Sequence, residues 1–204
     1  VFAIDGTKWT IPRADELMRR FGASPGAHYP QALVSVLYDV CAGMPIDVEV
    51  APYATSERDH LFDMLPSLEP GSILLMDRGY PAHDVFQALA EEGVDFLARV
   101  QIRNTFGVIE QLRDSGAVDE DFVLEVPRLG DAGWKELKLR FVRVGRPGQE
   151  PMYFFTSLSR EEVSRRQIDE LYHLRWRLEE HYKLAKHLYL EHWEPRSRTA
   201  EGVT

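Results

Sequence analysis

The feature that most constrains this 204-residue chain is a series of strand-length apolar segments in its first hundred residues, separated by helical text. Phe2–Asp5 is a short apolar run that ends in a carboxylate and a Gly turn. Ala32–Tyr38 and Ile46–Val50 read as two more strands, and Asp39–Pro45 with Gly43 suits a hairpin between them. Thr55–Leu65 predicts a helix, with Thr55 or Ser56 as N-cap, apolar residues at helical spacing (Leu61, Phe62, Leu65) and a stop at Pro66. Ile73–Met76 is wholly apolar and ends on Asp77, followed by Gly79 and Pro81. A helix over His83–Glu91 and a fifth strand over Phe96–Val100 come next. That order predicts an α/β domain with a mixed central sheet flanked by helices. Polar residues at strand ends project from the rim of such a sheet, where open α/β proteins place their sites, so Asp5 and Asp77 become candidates.

From about residue 104 to 157 the text turns β-rich, with strands expected at Phe122–Val126, Leu137–Val144 and Met152–Thr156 and a turn at Gly145–Gly148. We read 104–157 as an inserted subdomain, which assigns the core to residues 1–103 and 158–204. Ser159–Leu190 then reads as one long helix, opened by Ser159 and Glu162 in capping-box spacing and carrying Leu171, Leu174, Leu178 and Ala185 on its apolar side.

Composition narrows the chemistry. With 44% apolar residues the chain can bury a substantial core, and no apolar run approaches the length that spans a bilayer. The first residues lack a signal-peptide layout, so a cytoplasmic setting is expected. Val1 in place of a methionine suggests a piece of a longer protein with flanking domains. Cys41 is the single cysteine, which excludes an internal disulfide and a CxxC zinc site, so any metal must be held by oxygen or imidazole. His28, His60, His83, His173, His181, His187 and His192 show no metal-ligand spacing with a third ligand. A net charge of −9 argues against a generic nucleic-acid binder. Residues 160–204, however, hold nine Lys or Arg against nine Asp or Glu, so the whole excess sits in 1–159. A metallonuclease also gathers carboxylates and recovers attraction for phosphate when cations bind.

Taken as one continuous helix at 100° per residue, Tyr172, Arg175, Glu179, Lys183 and Lys186 fall on a single stripe. By itself the stripe is also what a solvated face with i,i+4 ion pairs looks like. A pattern decides between the two. Tyr172-x2-Arg175-x3-Glu179-x6-Lys186 resembles the tyrosine-arginine-glutamate-lysine signature of insertion-sequence-four-type DDE transposases. Ile4-Asp5-Gly6-Thr7 and Asp77-Arg78-Gly79-Tyr80 resemble that family's first and second aspartate motifs, and Pro52-Tyr53 with Ser56-Glu57-Arg58 is family-like as well.

The resemblance covers essentially the whole chain. It implies a ribonuclease-H-like fold with a β-rich insertion before the last long helix. It also implies a metal-dependent activity that cuts DNA at transposon ends and transfers strands to a target. Asp5, Asp77 and Glu179 would hold two Mg²⁺ or Mn²⁺ ions, Asp5 bridging both. Tyr172, Arg175, Lys183 and Lys186 would contact DNA, with Arg78 a weaker candidate. Tyr153, or alternatively Trp134, would stack on a flipped base. The implied partner is DNA, bound by a dimer on two ends. A haloacid-dehalogenase-like phosphatase would explain Asp5-Gly6-Thr7 but lacks its second aspartate at position 7. A Walker-B reading of Ile73–Asp77 lacks a phosphate loop. A catalytically silent, transposase-derived DNA-binding protein stays open.

Overall fold

The computed structural model describes residues 1–102, 106–127, 133–145, 148–190 and 199, and the side chains of 188–190 fall outside that description. His192 and the centre of the expected Gly145–Gly148 turn lie outside the described residues. The chain divides into two compact units, one formed by Ala3–Ser67 and Trp176–Thr204, the other by Val1–Phe2 and Leu68–Arg175.

The first unit carries β1 (Phe2–Thr10, from Ala3 onward), β2 (Gln31–Asp39) and β3 (Met44–Pro52) in the order β3-β2-β1. Strands β2 and β3 form the expected antiparallel hairpin, from Ala32↔Pro52 to Asp39↔Met44. Its turn needs Gly43, whose φ of 73° lies in the left-handed region that side chains disfavour. The Asp39 carboxylate accepts the Cys41 and Ala42 N–H groups of the same turn. Helix α1 (Asp15–Phe21) was not anticipated, because seven residues give too short a periodic signal. It forms by packing Leu17 and Phe21 against Ile11 and Ala32. Helix α2 (Glu57–Met64) begins where expected: the Ser56 hydroxyl accepts the Arg58 N–H at 3.2 Å, and Leu61 and Met64 are buried. Helix α6 (Trp176–Leu190) completes this unit and buries Leu178 and Tyr182.

The second unit carries β4 (Ile73–Met76), α3 (His83–Glu91), β5 (Asp95–Val100), α4 (Gly107–Asp114), β6 (Asp119–Pro127), β7 (Trp134–Val144), β8 (Met152–Thr156) and α5 (Arg165–His173). Its strands run in the order β4-β5-β8-β7-β6, and β4 and β5 are parallel while the rest pair antiparallel. The sheet is therefore mixed and helix-flanked, as the segment order predicts. Strands β6–β8, from the β-rich 104–157 segment, continue the sheet of β5 through the β5–β8 pairing. Phe155 packs against the rings of Phe106 and Phe122 on the face covered by α3, where Phe86 stacks on Phe96 at 4.6 Å. Phe154, one residue earlier and hence on the opposite face, meets Tyr172 of α5 edge-on at 4.8 Å.

The helix expected over Ser159–Leu190 is two helices. The Ser159–Glu162 box forms, with Ser159 N–H to Glu162 at 2.8 Å, but it closes a turn ahead of the helix. A second box, Ser164 with Gln167, starts α5. Helix α5 then ends as the Leu174 and Arg175 N–H groups bond to the Leu171 and Tyr172 carbonyls, both at 3.1 Å. These i→i−3 bonds tighten the last turn. The single stripe drawn from Tyr172 to Lys186 is therefore interrupted at Leu174–Arg175.

Candidate active site

In the first unit the chemistry gathers where β1 meets α6. Asp5 and Thr7 follow Ile4 on β1, and Asp5 caps the Gly6 N–H with its own carboxylate at 3.0 Å. Tyr182 of α6 donates its hydroxyl to the Asp5 carbonyl at 2.6 Å, and Lys186, one turn further on, donates to the Thr7 hydroxyl at 2.6 Å. Glu179 lies one turn before Tyr182, so residues 179, 182 and 186 share the helix face that is tied to Asp5 and Thr7. Burial pushes the Tyr182 phenol far above its ordinary value. The Asp5 charge adds to this, the Val36 backbone opposes it, and Glu57 reinforces it. Tyr182 therefore remains a protonated donor throughout the physiological range.

Glu57 was quoted in the sequence but given no role. It stands at the N-terminus of α2 directly against Gly6, where an added Cβ would come within 2.6 Å of the Glu57 Cγ and Cδ. A glycine is needed here for close approach. Gly6→Ala is expected to swing Glu57 away from Asp5, destabilising the fold by about 1–3 kcal/mol. Gly6→Ala/Glu57→Ala should unfold in urea at the same midpoint as Glu57→Ala alone, because the clash has been removed. A double variant that keeps the full penalty would refute the contact.

In the second unit the strand-end aspartate and the start of the signature come together. Asp77 follows β4, and its carboxylate accepts the Gly79 N–H at 2.7 Å, turning the chain away from the strand. Tyr172 is buried, and the Arg175 guanidinium lies 5.5 Å over its ring while being itself only 8% exposed. Burial raises the Tyr172 phenol above its usual value, Arg175 and Arg99 oppose the rise, and Asp77 adds to it. Tyr172 thus stands among Asp77, Arg99 and Arg175. Arg99 was not singled out in the sequence, although the β4–β5 register explains its place. Met76 pairs with Ala98, so Asp77, just past β4, and Arg99, next to last in β5, come at the same end of two parallel neighbours.

The remaining expected residues divide by exposure. Lys183 is exposed, 5.8 Å over the Trp176 ring, and Arg78 is exposed beside Asp77. Tyr153 is 6% exposed and packs on Phe141 at 5.9 Å, which leaves little of its ring for a base to stack on. Trp134 is 65% exposed. Among the described residues no group of three or more His, Cys, Asp or Glu side chains stands close enough to hold a metal ion. The donor chemistry fits hard cations, since Asp5, Asp77 and Glu179 offer oxygen only; Asp77 sits at a strand end as expected, but Asp5 does not, because β1 runs on through Gly6 to Thr10 instead of turning after the carboxylate.

Three comparisons bear on this arrangement. A family model described as the transposase DDE domain matches residues 1–204. Among solved structures, the piggyBac transposase synaptic complex with hairpin DNA superposes with a TM-score of 0.57 at 11% identity, over 91% of this chain and 40% of that chain. That likeness shows the ribonuclease-H-like α/β fold, and this chain spans less than half of its neighbour's length. The Ciona intestinalis endonuclease V in complex with a 24mer DNA aligns over 90% of this chain and 85% of that chain, at 15% identity but with a TM-score of only 0.32. No curated protein matches the chain.

Proposed function

Because the chain belongs to the transposase DDE domain family, we propose that it is the catalytic domain of an insertion-sequence-four-type transposase that cuts DNA at transposon ends and joins the freed strand to a target. The observation that carries this reading is the order and spacing of three motifs in one chain: Asp5-Gly6-Thr7, Asp77-Arg78-Gly79-Tyr80 and Tyr172-x2-Arg175-x3-Glu179-x6-Lys186. Asp5, Asp77 and Glu179 are the carboxylates that would hold the metal ions. When bound, a pair of Mg²⁺ or Mn²⁺ ions would activate the attacking oxygen and stabilise the leaving one during in-line displacement at phosphorus.

The protein's own contribution is positioning and charge. Tyr182 holds the Asp5 backbone, and Lys186 holds Thr7 while offering its remaining donors to phosphate. Arg175 and Tyr172 form a buried pair that presents a cation and a phenol beside Asp77. Lys183 and Arg78 supply exposed cations for the DNA backbone. For stacking on an unpaired base, the exposure of Trp134 favours it over buried Tyr153. We further infer a dimer on two DNA ends, working in the bacterial cytoplasm on nucleoid DNA. Among the described residues no helix is long and apolar enough to cross a membrane.

The parent protein, incubated with a duplex carrying its own element's terminus, should nick and join that DNA in Mg²⁺ or Mn²⁺. It should lose the activity in EDTA and regain it when either ion is restored. Cleavage that persists undiminished in EDTA would overturn the metal-dependent reading and leave the family assignment standing.

A further inference from the structure

Strand β1 and helix α6 meet in two hydrogen bonds whose spacing matches. Alternate residues of a strand share a face and stand about 6.6–6.8 Å apart, and four residues of a helix rise about 6 Å. Asp5 and Thr7 therefore run level with Tyr182 and Lys186, and the bonds form from Tyr182 to the Asp5 carbonyl and from Lys186 to the Thr7 hydroxyl, both at 2.6 Å. The two bonds differ in kind. The first ends on backbone, so it makes no demand on the side chain at position 5. The second needs a hydroxyl at position 7, and threonine supplies one on a β-branched side chain that suits a strand.

The group that Thr7 holds is a cation. Lys186 is half-buried, and among the described residues no salt bridge reaches it. An ammonium on a four-carbon stem has three donors and no acceptor, and left to itself it samples many rotamers. Thr7 takes one donor and fixes the stem. Being uncharged, the hydroxyl leaves the positive charge whole, where a carboxylate at position 7 would cancel it. Two N–H donors remain, one strand repeat from Asp5 on the same face of β1. From this geometry we propose that Thr7 is a positioning residue for strand cleavage, whose hydroxyl aims the Lys186 ammonium, undiminished in charge, at a phosphate beside Asp5. The role rests on the transposase reading, which gives Lys186 a phosphate to meet. Orientation of one donor matters little to an affinity built from many backbone contacts, and much to a rate that depends on where the reacting phosphate sits. The effect therefore belongs to turnover at saturating DNA and not to binding.

Single-turnover nicking of the element's terminal duplex by the parent protein in Mn²⁺ reads the rate, and anisotropy in Ca²⁺ reads the affinity. Thr7→Val keeps the branched shape and loses the hydroxyl. It should nick about 10–50-fold more slowly with affinity within about twofold of the parent, and Thr7→Ser should recover the rate to within about threefold. In a Lys186→Met background, slow already, Thr7→Val should change the rate by less than about twofold, because the group it positions is gone. A Thr7→Val protein that melts like the parent and nicks at the parent rate overturns the proposal. Equal slowing in both backgrounds also overturns it, since Thr7 would then act without Lys186. NMR gives a reading free of cleavage: the Lys186 ammonium signal, identified by its absence from Lys186→Met, should appear in the parent and in Thr7→Ser and vanish in Thr7→Val. A signal that persists in Thr7→Val overturns the contact whatever that variant's rate. A parent that cuts no terminal DNA overturns the transposase reading and this role with it, whereas a cutting parent matched by Thr7→Val removes the role of Thr7 alone.

Discussion

Glu179→Gln is expected to lower DNA cleavage by on the order of 10³-fold or more, equivalent to about 4 kcal/mol of transition-state stabilisation, while leaving affinity for terminal DNA within about twofold. The substitution keeps the shape of the side chain and removes only its negative charge, which is what a divalent cation requires of it. The ties that hold the helix are independent of that carboxylate: Tyr182 still donates to the Asp5 carbonyl, and Lys186 still donates to Thr7. Folding should therefore survive, as thermal melting would verify. Gel assays of strand nicking in Mn²⁺, run beside anisotropy binding in Ca²⁺, measure the two quantities separately. A Glu179→Gln protein that cuts at the parent rate would remove Glu179 from the site. It would return the charge stripe to the plain surface reading that sequence left open.

The second large effect lies away from the chemistry. Arg140 of β7 is 2% exposed and forms a bidentate pair with Asp119 of β6, both contacts at 2.7 Å. The same guanidinium donates to the Leu158, Ser159 and Val163 carbonyls at 3.5, 3.1 and 2.6 Å, fastening the segment that leads into α5. Arg140→Ala removes every one of these bonds and leaves the half-buried Asp119 carboxylate without its bidentate partner. It should destabilise the protein by about 3–5 kcal/mol in urea unfolding. A loss below about 1 kcal/mol would mean that water and Arg160, 3.3 Å from Asp119, compensate for the missing group. The pair also predicts a pH dependence. The Arg140 hydrogen bonds hold the Asp119 carboxyl below its ordinary value, burial opposes them, and the charges of Arg140, Arg160 and Arg165 add to the lowering. With a folded pKa below the unfolded one, the stabilisation is complete above the ordinary Asp value of about 4. It disappears as pH falls through the depressed folded value, where the unfolded state takes up the proton first. Arg140→Ala should flatten that acid limb. Because α5 carries Tyr172, the variant should also lose cleavage in proportion to its loss of folding.

Much of the strand pattern was legible because burial on both faces writes a continuous apolar run. Ile73–Met76, His83–Glu91 and Met152–Thr156 begin and end as expected. Helices α1 and α4 were not legible, since each is short and, unlike α2 with Ser56, neither opens on a side-chain N-cap, so their stability comes from packing on a sheet formed by distant segments. The long C-terminal helix was misread for a related reason. Periodicity continues smoothly through Leu174–Arg175, and nothing local in composition marks the i→i−3 bonds that end α5 there. Angles extrapolated across that junction placed Tyr172 in a polar stripe, whereas its ring is buried against Phe154.

Within the candidate site, Asp5, Asp77 and Glu179 could be named from sequence because their chemistry is carried by motifs of fixed local spacing. Glu57, Arg99 and Tyr182 could not be given roles in that way. Their importance comes from residues far away along the chain: Glu57 from contact with Gly6, Arg99 from the register of β4 on β5, and Tyr182 from a bond to the Asp5 carbonyl. Sequence alone therefore determined the DDE transposase family and the fold class and nominated the acidic residues, since apolar period and motif spacing are properties of neighbouring residues. Only the tertiary structure decided which cations, phenols and carboxylates surround those acids. Strand register and side-chain burial arise when segments tens of residues apart pack together, and no local pattern encodes that distance.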